Sequence, residues 1–266
     1  MPYTHNPEIG KKFHNLVEIM AKLRGEHGCP WDKEQTHESL RQYLLEEAYE
    51  VLEAIDDGSA PALQEELGDL LLQIVFHAQI AAENEDFDIA SVLETISDKL
   101  IRRHPNVFGD LEIHSAHEQS INWEKLKKQE GKKSVIDGVP AALSALLKAW
   151  RIQQKASTVG FDWPDHRPVW DKIQEELQEF QKAFQSEKPE NIEEEFGDLL
   201  FSLVNLSRFL NVNPEDALRK TTDKFIRRFK SIELQFQTEN REMHEASLEE
   251  LDERWEQIKS MEKENH

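Results

Sequence analysis

Five acids recur at one fixed offset along this chain. Glu46, Glu47, Glu50, Glu66 and Asp69 reappear 129 positions later as Glu175, Glu176, Glu179, Glu195 and Asp198. Each set is carried by an EExxE stretch and an ExxD stretch. Each is followed by a basic run, DKLIRR at 98–103 and DKFIRR at 223–228, and then by a Trp-containing run, NWEKLKKQE at 122–130 and RWEQIKSME at 254–262. Equal spacing across the whole acid set, followed in each half by the same kinds of basic and Trp-containing run, argues duplication of a whole folding unit, so the fold must be one that can be built twice.

The unit is helical. Leu44, Leu45, Ala48, Val51, Leu52 and Ile55 fall on one helix face, and Leu67, Leu70, Leu71, Ile74, Val75 and Ala78 repeat the pattern after a break at 56–61. That is helix, short turn, helix: an antiparallel hairpin. Alternating Val/Ile/Thr runs, the strand signal, are almost absent. Asp88 can cap a helix running to about residue 103, where Pro105 stops it. Ser115 with Glu118 and Ser247 with Glu250 have capping-box spacing. Pro168, Pro189 and Asn213-Pro214 mark further helix starts. GKKSVIDGVP at 131–140 has no periodicity and reads as a linker. The expected organisation is an N-terminal repeat over 1–131, a linker over 132–139 and a C-terminal repeat over 140–266. The fold class is all-α, a tandem repeat of helical-bundle units. A two-helix hairpin with a strong apolar face needs partners, so four-helix bundles completed across a homodimer are expected.

Charge narrows the partners. Net charge is −21 with 32% charged residues, and such a surface repels nucleic-acid phosphates and anionic membranes. An anionic substrate would need cations gathered locally. The single cysteine, Cys29, excludes a disulfide framework within the chain and fits a reducing cytoplasm. Neither a secretory h-region near the start nor an apolar run of the ~18 residues a membrane span requires is present.

The acids point to a cation. In EExxE the second and third glutamates share a helix side, as do the glutamate and aspartate of ExxD. Pairing the helices brings four carboxylates to one rim, where they repel and raise one another's pKa values. A hard divalent ion removes the repulsion, and all-oxygen ligation favours Mg²⁺ or Mn²⁺. The plainer alternative is a repeated bundle with its acids on a solvated face. A di-iron site would need Glu-x-x-His on two helices, and the sequence has that spacing only at Glu34–His37, outside both hairpins. Gly68 and Gly197 sit inside the ExxD helices at a cost of ~1 kcal/mol each against Ala. Close approach of a neighbouring helix or a ligand would account for them. Lys224 with Arg228, and Lys99 with Arg103, lie one turn apart, as a phosphate-binding pair or as a solvated basic face. Trp255 with Lys259 places an aromatic one turn from a cation, suited to a base or to core packing.

EELQE at 175–179, fifteen residues and then EFGD at 195–198 resemble the EExxE…ExxD signature of the MazG family, all-α nucleoside triphosphate pyrophosphohydrolases similar in turn to dimeric dUTPases and phosphoribosyl-ATP pyrophosphohydrolases. GCPWDKEQTHESL, LLEEAYEVLEAI, ELGDLLLQIVFHA, RRHPNVFG, VGFDW, DKFIRRF and WEQIK extend the resemblance over nearly the whole chain, duplication included.

That resemblance implies hydrolysis of (d)NTPs to (d)NMP and pyrophosphate with Mg²⁺, Mn²⁺ being the alternative, and broad base specificity. It implies Glu176, Glu179, Glu195 and Asp198 as metal ligands, and Lys172, Lys224, Arg228, Trp255 and Lys259 as nucleotide contacts. The N-terminal equivalents are Glu47, Glu50, Glu66 and Asp69 for a second metal site and Lys99, Arg103 and Trp123 for a second nucleotide site. Glu175 and Glu194, adjacent to the ligands, are the candidates to activate water. Where the family often carries a Lys ahead of the ExxD glutamates, this chain has Asn191. Pro105 ends the first basic helix just after Arg103, whereas the second continues through FKSIELQF, so the second repeat is expected to form the better site. The competing expectation is a non-enzymatic helical protein that binds nucleotides or partner proteins.

Overall fold

The computed structural model describes the chain apart from residues 1–5, 116, 117, 120, 121, 124, 125, 127–132, 187, 188, 265 and 266. Most of the expected helix over 122–130 and the first residue of the expected linker lie outside the described residues. The described residues form helices and no strand. They divide into two compact units, Met1–Ile113 and His114–His266.

In the first unit α1 (Pro7–Arg24) and the short α2 (Pro30–Glu34) precede the hairpin of α3 (Arg41–Asp56) and α4 (Ala60–Glu83), followed by α5 (Ile89–Arg103) and α6 (Pro105–Phe108). The turn at 57–59 works as its residues demand. Gly58 takes a left-handed φ of 65°, and Ser59 caps α4 by accepting from the Ala62 amide at 3.3 Å. Asp88 caps α5 through the Ser91 amide at 2.8 Å. α1 packs on α4, and Met20, Leu40, Val75, Phe76 and Ile80 form the core between them. The Arg24 side chain, 7% exposed, forms an ion pair with Glu83 at 2.8 Å and also donates to the carbonyls of Asp32 and Gln35. It thereby ties the segment after α1 onto α4. Within that segment a Cβ on Gly28 would stand 2.0 Å from the Leu23 carbonyl oxygen, so only glycine fits.

The second unit repeats the hairpin. α7 (Ala145–Ser157) leads to α8 (Arg167–Ser186) and α9 (Pro189–Phe209), which pack antiparallel, and then to α10 (Pro214–Thr238) and α11 (Leu248–Glu264). α7 packs on both α9 and α10. Buried Gln153 of α7 donates to the Phe201 carbonyl at 2.9 Å. Buried Lys155 donates to the Val135 carbonyl at 2.8 Å, which fastens part of the 132–139 segment to this unit. Asn213 caps α10 by accepting from the amides of Glu215 and Asp216. Ser247 accepts from the Glu250 amide at 3.2 Å, while the Glu250 carboxylate bonds Arg241 and Arg254 instead of reaching back to complete a capping box.

Large apolar side chains stay exposed on both hairpins. Leu45, Tyr49 and Leu67 of the first, and Phe184, Phe196 and Phe201 of the second, are each between 44% and 66% exposed. Gly68 and Gly197 face open space, with nothing beyond their own stretch of helix within 4 Å of where a Cβ would sit. Among the described residues no neighbouring helix closes on either glycine, contrary to that expectation.

Candidate active site

Each hairpin gathers carboxylates as its spacing requires. In the first, single oxygens of Glu47, Glu66 and Asp69 lie within 4.8 Å of one another, and in the second those of Glu176, Glu179 and Glu195 do. In the first, Glu47 comes from α3 and Glu66 and Asp69 from α4; in the second, Glu176 and Glu179 come from α8 and Glu195 from α9. The fourth member expected at each site, Glu50 or Asp198, stands outside the tightest group but close enough to act on it. Burial, then the charges of Asp69 and Glu50, pushes the Glu47 carboxyl up from its ordinary value. Burial, then Glu179 and Asp198, does the same to Glu195. Burial, then Glu50 and Glu65, raises Glu66.

These oxygens suit a hard divalent cation. Mg²⁺ binds oxygen at about 2.0–2.1 Å, so opposed ligand atoms stand about 4.2 Å apart. A group already within 4.8 Å needs only a small contraction. The donor set is all carboxylate, the chemistry Mg²⁺ and Mn²⁺ prefer.

The two sites differ in burial and in their neighbours. Glu176 is 5% exposed. Lys172, one turn before it on α8, places its Nζ 2.6 Å from Glu176 and 3.0 Å from Glu175. Glu176, and after it Glu175, holds the Lys172 ammonium above its ordinary pKa. In the first repeat the offset of 129 puts Tyr43 at this position. Its ring meets Trp31 edge-on, with centroids 5.8 Å apart.

Lys172 shares α8 with Glu176 and Glu179, whereas the structure places the other nucleotide candidates on separate helices. Lys224 and Arg228 lie mid-helix on α10, and Trp255 and Lys259 on α11. Lys224 is exposed. Arg228 bonds Glu262 at 2.7 Å, and its guanidinium lies over the Trp255 ring. Trp255 is half-buried against the core of Ile232, Phe236 and Ile258. Lys259 pairs with Glu256 at 2.7 Å. Arg228 and Trp255 are thus together, while the acid hairpin and the basic pair are joined through α7. In the first unit Lys99 is exposed and Arg103 is the last residue of α5. Trp123 belongs to the second unit's stretch of chain. Of the water-activating candidates, Glu175 is bonded to Lys172 and Glu194 is exposed.

Two features escaped the sequence. His37 and His77 stack with Nδ1 atoms 2.7 Å apart, and no local spacing links residues forty positions apart. The Lys172 bonds were within reach, because i, i+3 and i, i+4 pairs always adjoin on a helix.

The model of the MazG nucleotide pyrophosphohydrolase domain matches the chain twice, over residues 35–108 and 165–232. The chain is 53% identical over 255 residues to the nucleoside triphosphate pyrophosphohydrolase/pyrophosphatase MazG of Thermotoga maritima, covering 95% of this chain and 97% of that one. It is 44% identical to the nucleoside triphosphate pyrophosphohydrolase of Escherichia coli K12, covering 93% and 97%. It is also 46% identical to the uncharacterized protein YabN of Bacillus subtilis, with 95% of this chain matching 52% of that protein. With each matched segment carrying one acid hairpin, the chain belongs to the MazG nucleotide pyrophosphohydrolase family.

Proposed function

We propose that this chain hydrolyses nucleoside triphosphates, ribo- and deoxyribo-, to the monophosphate and pyrophosphate, with Mg²⁺ or Mn²⁺ held by its carboxylates. The observation that carries this reading is the convergence of Glu176, Glu179 and Glu195 from two helices onto one point, together with the names of its full-length relatives. Asp198 completes the set. When bound, the cation neutralises phosphate charge and orients the triphosphate. The protein's own groups do the rest. Glu175 or Glu194 takes the proton of the attacking water. Lys224, Arg228 and Lys172 offset charge on the departing pyrophosphate. Trp255 presents an aromatic surface that any base can share, which supports broad base specificity.

Arg228 must exchange Glu262 for phosphate, and the acid and basic helices must be brought together, for all these groups to act on one substrate. A second copy of the chain is the natural source of the missing wall. The exposed Phe184, Phe196 and Phe201 give the hairpin an apolar surface for it, and sedimentation should find a homodimer. The net charge of −21 disfavours nucleic acid and anionic membranes as partners, no described helix is long and apolar enough to cross a membrane, and one cysteine fits a cytoplasmic setting.

Incubation with each NTP and dNTP plus Mg²⁺, with products resolved by ion exchange, tests the reaction. Monophosphate with pyrophosphate is the expected outcome. Diphosphate with phosphate would overturn it, and a folded protein that binds nucleotide without turnover would favour the non-enzymatic reading.

A further inference from the structure

The two acid clusters are not chemically equivalent, and one difference between them is a lysine. In the second, the Lys172 Nζ lies 2.6 Å from a carboxylate oxygen of Glu176 and 3.0 Å from Glu175. In the first, the matching position is Tyr43, whose ring packs against Trp31. Glu176 is 5% exposed and is one of the three convergent acids. A carboxylate so buried is costly without a countercharge. A lysine four residues earlier, on a flexible stem, supplies one from within the same helix.

The same ammonium stands in the way of a metal ion. A divalent cation that binds Glu176 competes with Lys172 for the same carboxylate, and two cations on one carboxylate repel. Once displaced, the ammonium is still tethered one turn away, at the rim of the cluster. There the nearest new demand for positive charge is a substrate phosphate.

We propose that Lys172 is a built-in counter-ion of the second site: it holds Glu176 in the metal-free protein, is displaced by the divalent ion, and passes to the triphosphate. Metal and nucleotide binding are thereby coupled in the second repeat and not, through this position, in the first. The coupling is reciprocal, each ligand tightening the other by the same factor. This rests on the metal-site reading of Glu176, Glu179 and Glu195.

The test is Mn²⁺ binding followed by electron paramagnetic resonance on the full chain, with the first cluster silenced by Glu66→Gln and Asp69→Asn. Titrations are run with and without α,β-methylene-ATP, a non-hydrolysable probe. Lys172→Met should bind Mn²⁺ about tenfold more tightly without nucleotide, the factor expected from losing one competing charge-assisted hydrogen bond. It should also lose most of the enhancement that the nucleotide gives the parent protein. Lys172→Arg, which restores the charge, should return both values toward the parent. If Lys172→Met does not fold by circular dichroism, Lys172→Gln carries the same test. Measurable Mn²⁺ binding that is unchanged or weaker in the neutral variants would overturn the counter-ion role alone. Absence of Mn²⁺ binding in every protein, with or without nucleotide, would overturn the metal-site reading and this proposal with it.

Discussion

Arg228 lies over the indole of Trp255, 5.4 Å from the ring centroid, and binds Glu262 through both Nε and Nη2. A residue expected to meet phosphate is held by a carboxylate, and one expected to meet a base is packed on its own core. Glu262→Gln should release Arg228 and change the KM for NTP more than kcat, because an interaction broken before binding acts on the ground state. Steady-state kinetics on the folded variant read this directly.

Trp255 itself has a structural load. It packs with Phe225, at a centroid distance of 5.1 Å, and against the Ile232–Phe236–Ile258 core. Trp255→Ala should destabilise the second unit by about 2–4 kcal/mol, a partly buried aromatic falling at the lower end of the usual range. Denaturant unfolding will show it as a lower midpoint.

The convergent acids should dominate turnover. Glu195→Gln should lower kcat by about 100-fold or more, the scale of losing one group that stabilises transition-state charge. Glu66→Gln should cost far less, because Lys172 and the mid-helix Lys224 and Arg228 belong to the second repeat. Product release of pyrophosphate, compared between the two variants, checks both expectations, and a larger loss in Glu66→Gln would reverse the assignment.

Crowded carboxylates also affect stability. Glu47, Glu66 and Glu195 have raised pKa values, burial being the first cause and neighbouring acids the next. A raised folded-state pKa gives stability that is present below the ordinary glutamate value and lost as pH rises through the raised one. As pH rises and these carboxyls ionise, the metal-free protein therefore carries growing repulsion, and Mg²⁺ should relieve it. Binding at 100 times Kd adds about 2.7 kcal/mol, which a thermal melt with and without Mg²⁺ will detect. EDTA should reverse the gain.

His77 sets a second pH dependence, of opposite sign. Burial, and then His37, pushes its imidazole below the ordinary value. A lowered folded-state pKa means that the unfolded chain takes up its proton first as pH falls. Stability is intact above about 6.5, the ordinary histidine value, and declines as pH drops through the lowered one. His77→Gln should flatten the melting temperature between pH 7.5 and 5 relative to the parent.

Arg24 should contribute measurably to the stability of the first unit. Arg24→Met removes a buried guanidinium that serves Glu83 and two backbone carbonyls. Because Glu83 is 37% exposed, solvent takes over part of the loss, and about 2 kcal/mol is expected. Hydrogen exchange should quicken over residues 25–35 first.

The sequence by itself determined what is local. Helix faces, the turn at 56–61, the helix start at Pro189, the caps at Asp88 and Asn213, and the placement of Glu47 or Glu176 on one helix side follow from spacing within a few residues. The duplication then carried the same hairpin to both halves. Tertiary structure alone decided which distant groups meet. Arg24 reaches Glu83 across 59 positions, His37 meets His77, and Asp162 meets Arg208. It also decided that Asp198 and Glu50 stand outside the tightest carboxylate groups, and that Gly68 and Gly197 face open space instead of a packed helix. The physical reason is the range of the forces involved. Backbone hydrogen bonding and i, i+4 contacts are fixed by the period of the helix, whereas the approach of one helix to another depends on every side chain between them.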